Sequence, residues 1–459
     1  MTRILTGDCL QILAGIEDHS IDAVVTDPPY GLSEHRTEEV MECLRAWLDG
    51  KPYRPSKKGF MGREWDAWVP GPEVWKEVLR VLKPGGHILV FAGTRSMDLM
   101  SMAIRLAGFE LRDAIGSASE SGGSASNGAP LLAWVRGGGF PKGQDISAVI
   151  DKKLGIMRHD KRKGGHIGMG TAAGNPYSEK HAALTKVVAP VIGMGSLTRG
   201  APVSPEANRW SGWNIALKPL WEPILLARKP LDGTVVENIL KWGCGGINVD
   251  GCRVPVDEKA DASQVSRNAA LATAGVIVRP EGRYPSNVVH DGCAAVTAEF
   301  DKHGETGQRN ALNRRNTDKH RNAYGAFAGS PEESFAPHDA PGSAARFFYC
   351  ARPTKEERAG SAHPTVKPLA LMRYLVRLIT PPGGKVMDPY AGSGTTGEAA
   401  IMEGFQPILI ERDETNTPCI ERRLMRAEET VKQEHAAKQE RDAQLDLFSE
   451  IEPLTNVAM

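Results

Sequence analysis

The chain has 459 residues, 41% hydrophobic and 24% charged, with 56 basic and 56 acidic side chains. That length supports two or three domains with a large core, in proportions ordinary for a globular protein. A formal net charge of zero excludes nucleic-acid binding driven by global charge, so such a partner has to be met by a local basic surface.

The N-terminal part alternates strands and helices. "RILTGD" predicts a short strand, "CLQILAGI" a helix and "IDAVVTD" the next strand. "PEVWKEVLRVL" has helical spacing and stops at "KPGG", a proline–glycine stop signal. "HILVFAG" reads as a buried strand and "SMDLMSMAIRLAG" as a helix ending in glycine. This rhythm implies an α/β fold with a mostly parallel central sheet covered on both faces.

The middle differs. "GSASESGGSASNGAP" (116–130) is low-complexity, and two stretches, 151–200 and 301–325, are locally basic with little periodicity. They read as solvated loops or as loops that meet phosphates, with Arg314, Arg315 and Lys319 the candidate contacts. Alternation resumes near residue 365. "PLALMRYLVRLIT" predicts a helix with Leu371, Leu375 and Leu378 on its apolar face. "KVMDPYAGSGTTGEAAIMEGF" reads strand, glycine loop, helix; "PILIERD" is a strand, and a charged helix is expected over about 417–442.

Seven cysteines include no CxxC pair, and Cys244 and Cys252 are too far apart for the usual zinc knuckle. No metal site is expected, and the thiols are read as reduced, in a cytoplasmic protein. "MTRILTGDCL" lacks the apolar core of a signal peptide, and no apolar run reaches the length of a membrane span.

Two stretches carry chemistry. In "VVTDPPYG" a buried strand runs into Asp27, Pro28, Pro29, Tyr30 and Gly31. Two prolines end both helix and sheet pairing, so an acid and an aromatic ring are held on stiff backbone at a strand mouth. In "DPYAGSGTTG" a strand ends at Asp388 and a glycine loop opens a helix, whose first N–H groups are free for a ligand. Glu411 ends the next strand about 20 residues on, the spacing at which an acid grips ribose hydroxyls. The loop lacks the Lys-Ser/Thr ending of a phosphate loop and departs from GxGxxG, which disfavours a nucleoside triphosphate or a dinucleotide.

"DPPY" early and "DPYAGSG" late, with "GDCLQIL" before the first and "HPTVKP" (363–368) before the second, resemble the S-adenosylmethionine-dependent DNA amino-methyltransferases. The order resembles the circularly permuted β group, and "WSGWNIALKPLWEPILLARKP" and "SAARFFYCARPTKEER" resemble a phage or prophage branch. The resemblance implies a circularly permuted Rossmann-like methyltransferase fold with loop-rich DNA-recognition insertions. It also implies S-adenosyl-L-methionine as cofactor, duplex DNA as substrate, base flipping, and a bacterial or phage-infected cytoplasm; a restriction-modification setting is expected.

By position, Asp27 and the Pro28 carbonyl would accept hydrogen bonds from the exocyclic amine, Pro29 would stiffen the clamp and Tyr30 would stack on the extruded base. Asp388, Ala391, Gly392, Ser393 and Gly394 would line the methionine end of the cofactor, Glu411 would hold its ribose and Asp8 its adenine edge. Thr365 and Lys367 would close over it; the plain alternative is a helix cap and a surface lysine. Adenine N6 leads over cytosine N4, because N4 enzymes more often carry Ser where Asp27 stands. A non-catalytic DNA-binding scaffold is the other reading.

The expected organisation is a catalytic part over 1–136, an insertion over 137–205, a catalytic continuation over 206–235, target recognition over 236–342, cofactor binding over 343–425, and a charged helix and tail over 426–459. The chain is expected to be a monomer or homodimer. In the tail, Gln444, Leu445, Leu447 and Phe448 of "QLDLF" resemble the short peptide that docks bacterial proteins on the sliding clamp; otherwise they pack back on the fold.

Overall fold

The computed structural model describes residues 3–32, 35–55, 59, 64–112, 131–135, 145–156, 158, 201–215, 221–254, 282, 284–302, 311–312, 334–335, 349–350, 357 and 366–451. Thr365, Arg314, Arg315, Lys319 and the 116–130 segment lie outside them. Contacts divide the chain into a larger unit, 1–137 with 221–459, and a smaller one, 138–220.

The larger unit is an α/β sheet. Its strands are β1 (Arg3–Thr6), β2 (Ile21–Thr26), β3 (Leu82–Phe91), β4 (Glu110–Leu111), β5 (Leu131–Val135), β6 (Trp221–Arg228), β7 (Val288–His290), β10 (Tyr349–Cys350), β11 (Lys385–Asp388) and β12 (Gln406–Glu411). Two further strands, β8 (Ala311–Leu312) and β9 (Ser334–Phe335), pair antiparallel with each other. The main order is β1-β12-β11-β2-β3-β6-β5-β7-β10, with β4 beside β6. From β1 to β3 every pairing is parallel; β6 then enters antiparallel. The late strands β11 and β12 thus sit between the early strands β1 and β2.

Each of these elements follows from its residues. All six residues of β2 are buried, as a strand covered on both faces requires. Side chains alternate across the sheet. Val24, Ile88 and Val90 face a core shared with Leu13, Trp75, Val78 and Ile104. Ala23, Val25, Leu89 and Phe91 face the opposite core, with Leu371, Leu375 and Val376. The helix Pro72–Val81 starts with proline in its first turn and buries Val74, Trp75, Val78 and Val81 along one side. The helix Leu369–Ile379 buries the expected Leu371, Leu375 and Leu378.

Three elements differ from their sequence reading. "KPGG" does end a helix, but it also lies inside β3. Between paired positions the chain takes five steps from Leu82 to His87 against two from Ile21 to Ala23 on β2, so the segment bulges out of the ladder. "CLQILAGI" forms only Cys9–Leu13, capped by Asp8. The last helix runs Thr417–Ile451, past the expected end, so the backbone of 444–448 is helical rather than a tail beyond the helix.

The smaller unit packs the helix Ile146–Lys153 against Pro205–Arg209, and Asp145 bridges Asn214. Buried Asp151 fastens them, accepting from the backbone of Val203 and Ser204 at 3.0 Å each, from Ser204 Oγ at 2.7 Å and from Arg158 Nε at 2.6 Å. Burial pushes its carboxyl up, but these donors outweigh burial and hold it well below the usual carboxylate range. By contacts, the described residues 206–215 group with the smaller unit. Parts of 236–342 join the larger unit, β7 adding to its sheet beside β5.

Candidate active site

The parallel strands β1, β12, β11 and β2 end along one rim, and each motif begins where one of them stops. Ligands of open α/β sheets sit beyond such strand ends. A cleft of about 1250 Å³ opens there, lined among others by Asp8, Asp27, Tyr30, Asp388, Gly392 and Glu411. It exceeds the usual size of a single small-molecule pocket, leaving room for two ligands side by side.

The "DPPY" turn is fastened from several directions. Asp66, 4% exposed, accepts from the Tyr30 and Gly31 backbone N–H groups at 3.1 Å each. Ser96 Oγ donates to the Tyr30 carbonyl. Gly31 has φ of 61°, and a Cβ there would come within 3.1 Å of the Trp68 and Val69 backbone. That glycine makes room for a neighbouring chain segment. Tyr30 Oη donates to Asp27 Oδ1 at 2.6 Å, so the ring and the acid act as one piece.

At the glycine loop, Asp388 lies 2% exposed beneath the cleft. It accepts from Thr26 Oγ1 at 2.7 Å, Thr396 Oγ1 at 2.5 Å and the Tyr390 N–H at 3.0 Å. Thr26 directly precedes Asp27, so Asp388 ties the two motifs together across adjacent strands. Burial pushes its carboxyl up to about 6, against the pull of those donors. Glu411 accepts from Gly392 N–H at 2.7 Å through Oε2, and from Asp413 N–H at 2.8 Å and Asn416 Nδ2 at 3.2 Å through Oε1. Gly392 has φ of 52° and Gly394 of 81°, left-handed turns suited to glycine. A Cβ on Gly394 would come within 3.0 Å of Ile420. Asp8 caps its helix through Oδ1, accepting from Leu10 N at 3.0 Å.

Lys367 is not a surface residue. It is 8% exposed, with Nζ 3.0 Å from Asp27 Oδ2, 3.0 Å from Tyr30 Oη and 3.2 Å from Glu222 Oε2. The lysine read from sequence as a cofactor cover lines the cleft and pairs there with the "DPPY" acid. Glu222 and Asp66 were not singled out from sequence. The available signal for Glu222 was a lone acid in the apolar run "WEPILLA".

A family model described as DNA methylase, of the N6/N4 type, matches residues 21–148 and 205–421. The chain belongs to the N6/N4 DNA methylase family. The Type II methyltransferase M.HindIII of Haemophilus influenzae is 22% identical over 273 residues, 53% of this chain and 64% of that relative, less than two thirds of its length. Among solved structures, M1.HpyAVI aligns at 12% identity over 92% of this chain and 98% of its own, with a TM-score of 0.36. The PvuII DNA methyltransferase (cytosine-N4-specific) aligns at 12% identity over 92% of this chain and 85% of its own, with a TM-score of 0.38. The assignment rests on the family match.

The cofactor of this family is S-adenosyl-L-methionine, and the donor set fits it. The cleft carries a carboxylate at a strand end, Glu411, beside a glycine loop drawn close by the Gly392–Glu411 bond. A carboxylate has about four acceptor positions; Glu411 uses three, so its Oε2 keeps one for a hydroxyl donor.

Proposed function

We propose that the chain transfers a methyl group from S-adenosyl-L-methionine to an exocyclic base amine in duplex DNA, with adenine N6 the leading target and cytosine N4 the alternative. The observation that carries this reading is the bond from Thr26 to Asp388, which joins the acid–aromatic turn and the glycine loop in one cleft. The order of the motifs and the late strands inside the sheet support a β-group arrangement.

The bound cofactor supplies an electrophilic methyl group. Glu411 and the loop 391–394 hold it, with Asp8 at its adenine edge. Asp27 accepts one amine hydrogen and the Pro28 carbonyl the other, which steers the nitrogen lone pair away from the ring. Each Asp27 oxygen keeps a second acceptor position beside its bond to Tyr30 or Lys367. The Tyr30 face stacks on the flipped base, contributing on the order of 1–3 kcal/mol. Just after the 137–205 insertion, exposed Trp210 and Trp213 meet edge to face at 5.2 Å beside exposed Arg209, groups suited to base stacking and phosphate contact.

The test is incubation of the protein with labelled cofactor and genomic DNA, followed by sequencing that detects modified bases. Label in N6-methyladenine is the expected result. Asp27→Ala should lose transfer while calorimetry with S-adenosylhomocysteine still shows binding. Turnover near the wild-type rate in that variant would overturn the role of Asp27.

A further inference from the structure

The ammonium of Lys367 has three protons and no acceptor. Its three near neighbours, Asp27 Oδ2, Tyr30 Oη and Glu222 Oε2, lie 3.0, 3.0 and 3.2 Å away. This decides where the phenol proton points. Tyr30 Oη has to accept from Lys367, so its own proton goes to Asp27 Oδ1, 2.6 Å away. The Phe91 ring lies 4.5 Å from the ammonium and the Tyr30 ring 5.4 Å, so the buried cation meets two aromatic faces besides these three polar groups.

Glu222 reaches this point because β6 runs antiparallel to β3. Phe91 at the end of β3 pairs with Ile224 near the start of β6, and Ala92 N–H donates to the Pro223 carbonyl at 3.0 Å. The start of β6 therefore lies on the same rim as the ends of β2 and β11.

We propose that Glu222 and Lys367 are a positioning pair, in which Glu222 anchors the ammonium and the ammonium orients Asp27 and Tyr30 toward the target amine. The proposal rests on the methyl-transfer reading for the role of Asp27 and Tyr30. Burial pulls Lys367 down, but Asp27 and Glu222 together override it and hold the amine above its ordinary value. A neutral lysine would gain a lone pair, compete for the phenol proton and release Tyr30 from Asp27. Among the described residues, the titratable groups facing Lys367 are Asp27 and Tyr30 after β2 and Glu222 on β6; the Asp27 charge in turn adds to the upward push on Asp388 of β11.

The experiment compares full-length wild type with Glu222→Gln, Glu222→Asp and Lys367→Arg, all labelled with ¹⁵N-lysine. In wild type one slowly exchanging ammonium signal, absent from Lys367→Arg, should persist to higher pH than an ordinary lysine ammonium does. It should vanish at lower pH in Glu222→Gln and return in Glu222→Asp. On genomic DNA with labelled cofactor, Glu222→Gln should lose kcat about 10- to 100-fold with KM for the cofactor little changed. Its rate should also fall at alkaline pH where wild type stays level.

If the ammonium signal behaves as expected but wild type transfers no methyl group, the methyl-transfer reading fails and the pair stands as an anchor. If wild type is active and Glu222→Gln keeps its ammonium titration and rate profile, the pair is overturned. Should Glu222→Gln not fold, the absence of a protected wild-type ammonium overturns the pair by itself.

Discussion

Asp388→Asn isolates the cost of burying a charge beneath the cleft. Its carboxyl is pushed from 3.8 to about 6, chiefly by burial. A folded-state value above the unfolded one means that the group's contribution is complete below pH 3.8 and is lost as pH rises through about 6. The shift is about two pKa units, or roughly 3 kcal/mol at 1.36 kcal/mol per unit. Asparagine keeps the volume and an acceptor for Thr26 Oγ1 while removing the ionisation. Urea unfolding of both proteins at intervals from about pH 4 to pH 7 gives the difference in stability at each pH. The wild type should lose roughly 2.5 kcal/mol of that relative to Asp388→Asn across the interval, whatever the offset from altered hydrogen bonds. Other carboxylates titrate in both proteins and cancel in the difference. Parallel curves would mean that Asp388 does not titrate as a buried acid, and the burial argument would fail.

Three further outcomes are expected. Gly394→Ala places a side chain at φ of 81°, within 3.0 Å of Ile420 Cγ2, and should cost about 1–2 kcal/mol or more in denaturant unfolding; unchanged stability would refute the close approach. Lys229 donates to the Leu79 and Leu82 carbonyls at 2.7 Å each, and burial holds it down to about 8 from 10.5. Its contribution is therefore present above about pH 10.5 and lost as pH falls through 8, so wild type should gain stability over Lys229→Met as pH rises between those values; a flat difference would refute it. Neutralising Arg314, Arg315 and Lys319 together should weaken DNA binding and flatten its salt dependence, and an unaltered salt slope would return them to solvated loops.

The residues that announce themselves in sequence are those whose local backbone is unusual. Proline after Asp27 and glycine after Asp388 mark strand ends wherever the strands lie in the fold, and the apolar runs of β2 and β11 are buried throughout apart from Lys385. Lys367 was legible as part of a motif but not in its role, because its partners come from residues 27, 30 and 222. The antiparallel entry of β6 puts Glu222 there, and nothing near residue 222 signals which strand it will pair with. Asp66 is similar: it sits in an irregular segment, and its value lies in two backbone donors more than thirty residues away. "KPGG" misled because a helix stop and a strand bulge need the same residues.

The chemistry of the site depends on a contact that chain order makes distant. Thr26 and Asp388 are 362 positions apart, yet β2 and β11 are neighbours, with Val386 opposite Ala23 and Met387 opposite Val24. Parallel pairing puts both carboxyl ends on one rim and leaves one residue of each strand to touch its neighbour. A one-residue slip of β11 against β2 would turn Asp388 to the other face of the sheet and replace a buried carboxylate with an apolar side chain. Thr26 would then have no acceptor, and Asp27 would lose its fixed distance from the glycine loop. The buried acid thus serves as a register lock. Its raised pKa is the cost of placing an ionisable group where an apolar one would be more stable, and the return is one permitted spacing between the acid–aromatic turn and the glycine loop.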